Sequence, residues 1–299
     1  MTDTIITGNC MDVLKTMEPN SVDLILTDPP YGITNNKWDA LVPMEDTIEI
    51  AHKKRLTSTK FMDYAYKKGM PRSEAIAMWK EQHIPGLWSL YRRVLKTNGV
   101  IAITSAEPFT SMLISTNPKQ FRYRWTWKKR IVSGPGFAHR QPMRRIEDIC
   151  VFYDNGSSTY HPQMYTGPAY SRVRKAHDHD TYRPMGQVTY TNRTERFPSD
   201  LLELDDAYVP TSGRYHRTQK PISLGRYLVR TYTDPGQVVL DSCCGSGSFP
   251  LAAYLEGRQY VGIELDPGYA DIARQRIEEA MVHDDQLTMF DRDQIEETG

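Results

Sequence analysis

The 299-residue chain is short of cysteine, with four (Cys10, Cys150, Cys243, Cys244) and no Cys-x-x-Cys pair. That excludes a disulfide-stapled scaffold and a cysteine-built zinc site, and no metal is expected. Long apolar runs are missing too: none approaches the ~18 residues of a membrane span. The opening MTDTIITGNC lacks the basic start and apolar centre of a secretion signal. The expectation is a cytoplasmic protein with reduced thiols and no membrane contact. Net charge is absent as well, with 37 Lys+Arg against 37 Asp+Glu, which excludes a uniformly basic polyanion binder. The charges are unevenly spread, however. Residues 1–120 carry a net +1, residues 121–230 a net +9 and residues 231–299 a net −10. The basic middle third, interleaved with Tyr, Arg and His, predicts one positive face for phosphates.

Regular periodicity frames the chain at both ends. Ile5–Thr7 reads as a strand, Met11, Leu14 and Met17 recur at helical spacing, and Val22–Leu26 is a buried-strand candidate. Residues 40–83 are mostly polar and read as a partly helical insert. A helix over 84–96, a strand at Gly99–Ser105, a helix over 109–116 and strands near 122–130 and Ile149–Tyr153 follow. From 155 to 212 periodicity disappears and Tyr, Arg, His, Pro and Gly dominate, which predicts a loop-rich insert. Helices over 221–231, 249–256 and 267–281 then alternate with strands Gln237–Asp241 and Tyr260–Glu264. This alternation predicts an α/β fold on a mostly parallel, doubly wound sheet, without internal repeats. The expected division is 1–154, 155–212, 213–283 and an acidic tail, 284–299.

Two local patterns carry chemistry. Val238-Val239-Leu240-Asp241 runs into Cys243-Cys244-Gly245-Ser246-Gly247 and a helix, and the next strand ends in Glu264-Leu265. Glycines let the backbone approach a ligand, and an acid ending the second strand can accept hydrogen bonds from a ribose. A dinucleotide usually asks for a third glycine, where this chain has Pro250, so a smaller nucleoside is expected. The second pattern, Asp28-Pro29-Pro30-Tyr31, ends a buried apolar strand. The prolines stiffen the turn and leave carbonyl acceptors facing outward. A carboxylate, a fixed carbonyl and an aromatic ring together hold a flat base that bears an NH2 group. They expose the nitrogen lone pair for in-line attack on a sulfonium methyl. Attack at cytosine C5 would need a nucleophilic cysteine, usually after proline, and no cysteine here follows one.

These blocks resemble the β-arrangement, amino-directed DNA methyltransferases, in which the catalytic motif precedes the cofactor motif. The likeness includes Gly8-Asn9-Cys10, Asp28–Gly32 with Asn36–Asp39, Arg93-Val94-Leu95, Glu107-Pro108-Phe109, Trp125–Lys128, Glu147-Asp148-Ile149, Thr218-Gln219-Lys220-Pro221 and Asp241–Gly247. Asn9 stands where the family usually has aspartate, and Arg217 where it has proline. The resemblance implies a circularly permuted S-adenosylmethionine-dependent methyltransferase fold of seven strands, six parallel and one antiparallel. It implies transfer of methyl from S-adenosylmethionine to adenine N6 in double-stranded DNA, with Asp28, Pro29, Pro30 and Tyr31 at the reacting amine and the base flipped from the duplex. Cofactor contacts are implied at Asn9, Cys10, Asp28, Thr218, Gln219, Lys220, Asp241, Cys243, Gly245, Gly247, Glu264 and Leu265. Lys220 is expected on the methionine carboxylate.

Residues 155–212 are expected to read the target, with Arg172, Arg174, Arg183 and Arg193 against base edges. Trp38, Lys128 and Arg140 complete the DNA-facing set. The cytosine-N4 branch usually carries Ser-Pro-Pro-Tyr, and protein-glutamine and RNA relatives reverse the motif order. A catalytically idle DNA-binding protein is the remaining alternative, against which the intact Asp28–Tyr31 turn argues. In the tail, Gln286-Leu287-Thr288-Met289-Phe290 resembles a bacterial sliding-clamp-binding peptide, which implies the clamp as a partner of a monomer or homodimer.

Overall fold

The computed structural model describes residues 2–32, 39–50, 54–154, 156, 158–175, 177–179, 182–204, 215 and 218–296, with backbone alone at 48, 50, 54, 137, 177–179, 182–185 and 283–296. Eight strands form the central sheet: β1 (Thr4–Thr7), β2 (Val22–Thr27), β3 (Leu95–Ser105), β4 (Phe121–Ser133), β5 (Arg144–Phe152), β6 (Leu201–Leu202), β7 (Val238–Asp241) and β8 (Gln259–Glu264). Their order is β1-β8-β7-β2-β3-β5-β4-β6. Only β5 runs antiparallel to the rest. The expected seven strands are all present. The eighth, the two-residue β6, pairs Leu201 and Leu202 with Thr126 and Trp127 at the edge.

All six residues of β2 are buried, because it lies between β7 and β3 with helices over both faces. Alternate residues point to opposite layers. Leu24, Leu26, Val100, Ala102 and Val239 pack against α6 (Ile222–Tyr232), α7 (Ser248–Leu255) and α8 (Pro267–Glu296). Val22, Ile25, Ile101, Ile103 and Leu240 pack on the other side. There they meet α1 (Cys10–Thr16), α4 (Leu87–Val94) and α5 (Phe109–Thr116). The sheet is therefore doubly wound, as the sequence predicts. Trp125 and Trp127, 3% and 6% exposed, belong to the first layer, and Trp125 Nε1 donates to Tyr232 Oη at 2.6 Å.

Three segments depart from expectation. Residues 40–83 hold α2 (Ser58–Lys67) and α3 (Arg72–Gln82), but also strands Thr47–Ile50 and Lys54–Thr57, which join His83–Ile84 in a small antiparallel sheet. Leu56, Phe61, Ala65 and Ala75 give this unit a core of its own. The 155–212 region is built on a β-ribbon, Tyr165–Arg174 against Val188–Arg196, instead of loops. None of its residues is buried, so no apolar face forces the alternation that marks a strand in sequence. The last helix runs to Glu296 and carries Gln286, Leu287, Met289 and Phe290, whose side chains lie outside the described set. No described helix is long and apolar enough to cross a membrane.

Candidate active site

From β2 the chain crosses to β3 on one side, whereas from β7 it crosses to β8 on the other. The carboxyl ends of β2 and β7 therefore flank the switch point of the sheet, where open α/β folds bind ligands. Thr27 Oγ1 donates to Asp241 Oδ1 at 2.7 Å and ties the two strand ends together. The Asp28 turn and the glycine turn, far apart in sequence, begin side by side.

The Asp28 turn is braced on every side. Asp39, 3% exposed, accepts the backbone N–H of Tyr31 at 2.8 Å and of Gly32 at 2.9 Å through Oδ1. Gly32 takes φ +67°, a conformation that favours glycine. Tyr31 stacks on Phe109 with ring centroids 5.2 Å apart, and its hydroxyl donates to Asp28 Oδ1 at 2.7 Å. Thr104 Oγ1 donates to the same oxygen at 2.5 Å. Burial and the charges of Asp28 and Glu147 push the Tyr31 phenol well above its ordinary range, so it remains a donor.

Lys220, 8% exposed, donates to Asp28 Oδ2 at 2.7 Å and lies 3.4 Å from Glu147 Oε2. Burial alone would lower its pKa, but the Asp28 and Glu147 carboxylates outweigh it and raise the value. The sequence expectation put this ammonium on a cofactor carboxylate. In the structure its partners are Asp28 and Glu147.

The glycine turn provides room for a nucleoside. Gly245 (φ +51°) has open space where a Cβ would stand, and Gly247 (φ +80°) approaches Ala273 too closely for one. Glu264 Oε2 accepts the Gly245 N–H at 2.8 Å and Oε1 the Asp266 N–H at 2.9 Å, which leaves lone pairs on both oxygens. Leu265 is 70% exposed beside it, and Ser248 Oγ is buried without a hydrogen-bond partner among the described residues. An acceptor for ribose hydroxyls, an apolar surface and an unused hydroxyl fit a nucleoside with a polar tail.

Cys10 and Cys243 join the opening loop to this turn. A hydrogen bond between their thiols draws Cys10 down and pushes Cys243 well up. Asn9 caps α1, accepting the Met11 N–H at 2.9 Å. Gln219 Oε1 accepts from the Tyr215 N–H at 3.1 Å and lies 3.4 Å from Ser246 Oγ, and Thr218 adjoins it. Asp241, 2% exposed, anchors the turn through the Cys243 N–H at 3.1 Å. Burial pushes its carboxyl up to about 7, aided by the charges of Asp28 and Glu264 and opposed by the Thr27 and Cys243 bonds.

The DNA-facing candidates divide. Arg172 and Arg174 line a cleft of about 400 Å³ on the ribbon with Tyr170 and Tyr190. The register pairs Arg172 with Tyr190 and Tyr170 with Arg193, so all three arginines share a face. A bulge at Asn192 (φ +49°) turns Arg193 onto it. Lys128 is ion-paired with Glu203 at 2.9 Å, and Arg140 is exposed in a turn. Trp38 and the Arg183 side chain lie outside the described residues. Thr104 and the pairing of Glu147 with Lys220 were not anticipated. The only signal was the acidic pair Glu147-Asp148 just before the apolar run of β5.

Comparison with known proteins agrees with this architecture. The chain is 24% identical over 285 residues to the type II methyltransferase M.HpaI of Haemophilus parainfluenzae, covering 93% of this chain and 75% of that one. It is 27% identical over 292 residues to the DNA adenine methyltransferase YhdJ of Escherichia coli K12, covering 93% and 83%. Among solved structures it resembles the cytosine-N4-specific PvuII DNA methyltransferase, with TM-score 0.55, 13% identity and coverage of 92% and 86%. The DNA methylase family of N6/N4 methyltransferases matches residues 22–275, a span that takes in both the strand ending at Asp28 and the strand ending at Glu264. The chain belongs to that family and is a DNA methyltransferase.

Proposed function

We propose that this enzyme methylates the N6 amine of adenine in double-stranded DNA, with S-adenosylmethionine as donor. The observation that carries the reading is Asp28, a carboxylate at the end of β2 that is held in place by Thr104, Tyr31 and Lys220. One N–H of the target amine donates to Asp28, the other to a proline carbonyl of the turn, and Tyr31 covers the base face. So held, the nitrogen lone pair is aimed at the methyl carbon. The cofactor supplies a methyl group on a positively charged sulfur. The new N–C bond forms as the C–S bond breaks, and the surplus amine proton leaves to solvent. Glu264 would hold the ribose and Leu265 would lie against the adenine of the cofactor, with the space at Gly245 giving it room to approach.

A base inside a duplex cannot reach a turn of this kind, so the target nucleotide swings out of the stack. The ribbon, with Arg172, Arg174 and Arg193 on one face, reads the surrounding sequence. Cytosine N4 is the second reading, favoured by the likeness to the PvuII enzyme. The mechanism admits it, since the reacting group is again an exocyclic amine. Digesting enzyme-treated DNA to nucleosides decides between them by mass. N6-methyladenine is expected, and N4-methylcytosine in its place overturns the adenine assignment.

A further inference from the structure

Both oxygens of the Asp28 carboxylate carry donors before any base arrives. Oδ1 accepts from Tyr31 at 2.7 Å and Thr104 at 2.5 Å, and Oδ2 accepts from Lys220 at 2.7 Å. Oδ2 keeps a second lone pair, but an incoming amine must share that oxygen with the Lys220 ammonium or displace a donor. Tyr31 and Thr104 are neutral, whereas displacing Lys220 would strand a buried ammonium, which is costly without a second anion.

Glu147 is that anion. Its Oε1 is held by Lys129 Nζ at 3.0 Å. Its Oε2 is buried and makes no hydrogen bond among the described residues, although Lys220 Nζ is 3.4 Å away. The ammonium thus sits hydrogen-bonded to Asp28 at 2.7 Å and ion-paired with Glu147 at 3.4 Å, and a small side-chain rotation exchanges the closer partner. The four groups alternate in sign from Asp28 through Lys220 and Glu147 to Lys129. A move from one partner to the other leaves their total charge unchanged.

We propose that Glu147 is a positioning residue that receives the Lys220 ammonium when the target amine takes its place on Asp28 Oδ2. Lys220 is then a gate on the acceptor: it keeps Asp28 paired in the free enzyme and yields to an amine. The proposal rests on the reading of Asp28 as amine acceptor. The transfer moves hydrogen bonds only, so no redox or covalent partner is required.

The test uses the full chain, the unreactive cofactor analogue sinefungin and a duplex with 2-aminopurine beside the target adenine, which brightens when the target leaves the stack. The target motif comes from methylation-aware sequencing of an expressing host. In Glu147→Gln the second partner loses its charge. Turnover should fall about tenfold or more and the 2-aminopurine signal should fall with it. Sinefungin affinity by calorimetry and the melting temperature should stay near native, and Glu147→Asp should recover part of the loss. Native turnover and fluorescence in Glu147→Gln overturn the proposal. So does a loss of sinefungin binding and melting temperature in step with turnover, which marks an ordinary structural role. Should Glu147→Gln not fold, Lys129→Met perturbs the same carboxylate from the other side and carries the same expectations. Asp28→Ala separates the two ideas. If it stays active, the acceptor reading fails; if it is inactive while Glu147→Gln is native-like, only the gate fails.

Discussion

Asp241 has two partners, Thr27 and Cys243, and two negative neighbours, Asp28 and Glu264, in a site where it is 2% exposed. Its carboxyl holds a proton up to about pH 7 in the folded chain, whereas an unfolded chain releases it near pH ~4. Folding therefore takes up a proton between those values. The stability from this group is fully present below about pH 4 and is lost as pH rises through about 7. Asp241→Asn removes the ionisation and keeps an acceptor for Thr27 and Cys243. The melting temperature of the native protein should fall more steeply from pH 5 to pH 8 than that of the variant, with the variant the more stable at pH 8. Thermal melts at both pH values check this, and parallel slopes would refute it. At this scale the sequence is legible where a motif is contiguous. Asp28–Tyr31 and Asp241–Gly247 announce themselves because each is one turn. Thr104 and Glu147 reach Asp28 and Lys220 from β3 and β5, strands whose pairing no local pattern reveals.

Among the elements, the ribbon departs most from its sequence reading and has the clearest consequence for DNA. A strand exposed on both sides needs no alternation, and the bulge at Asn192 disturbs what little there is. Besides its backbone pairing it has cation–π contacts: Arg196 lies 4.0 Å from the Tyr170 ring centroid and Arg193 5.3 Å from that of Tyr190. Arg172 and Arg174 stand beside these rings without being part of the contacts. Replacing both by Ala should leave the melting temperature near native and weaken DNA binding by roughly 1–3 kcal/mol per lost base contact. If they read bases, the loss should be confined to the target sequence. If they touch only phosphates, affinity should fall equally on all sequences and the salt dependence should flatten. Titrations on target and scrambled duplexes at two salt concentrations distinguish these results, and unchanged affinity on both would remove the ribbon from the interface. Apart from the two-residue β6 and the C-terminal run of α8, the helices and strands of the sheet are by contrast readable to within a few residues, because burial on one or both faces imposes a period on them.

Charge is segregated across the whole molecule, basic in the middle third and acidic toward the end, although the total is zero. The acidic end includes the second half of α8, where Gln286, Leu287, Met289 and Phe290 lie on helical backbone. The clamp-peptide reading of these residues rests on their sequence. It predicts that purified sliding clamp binds the native chain, and that Leu287→Ala/Phe290→Ala abolishes binding while methylation of a short duplex persists. Native protein that ignores the clamp would end that reading.

The strand order has a further consequence, for synthesis. β1 is made first of the described strands, yet its only sheet neighbour among them is β8, which is made last. Between β1 and β2 lies a gap two strands wide that only β7 and β8 fill. A nascent chain on the ribosome can pair β2 with β3 and β5 with β4, but it must carry an unpaired first strand and an open central edge until residues 238–264 emerge. The cofactor turn and the seam that binds Thr27 to Asp241 thus close last. A prematurely terminated chain has the amine-holding turn but no sheet to anchor it, and exposes strand edges that invite aggregation.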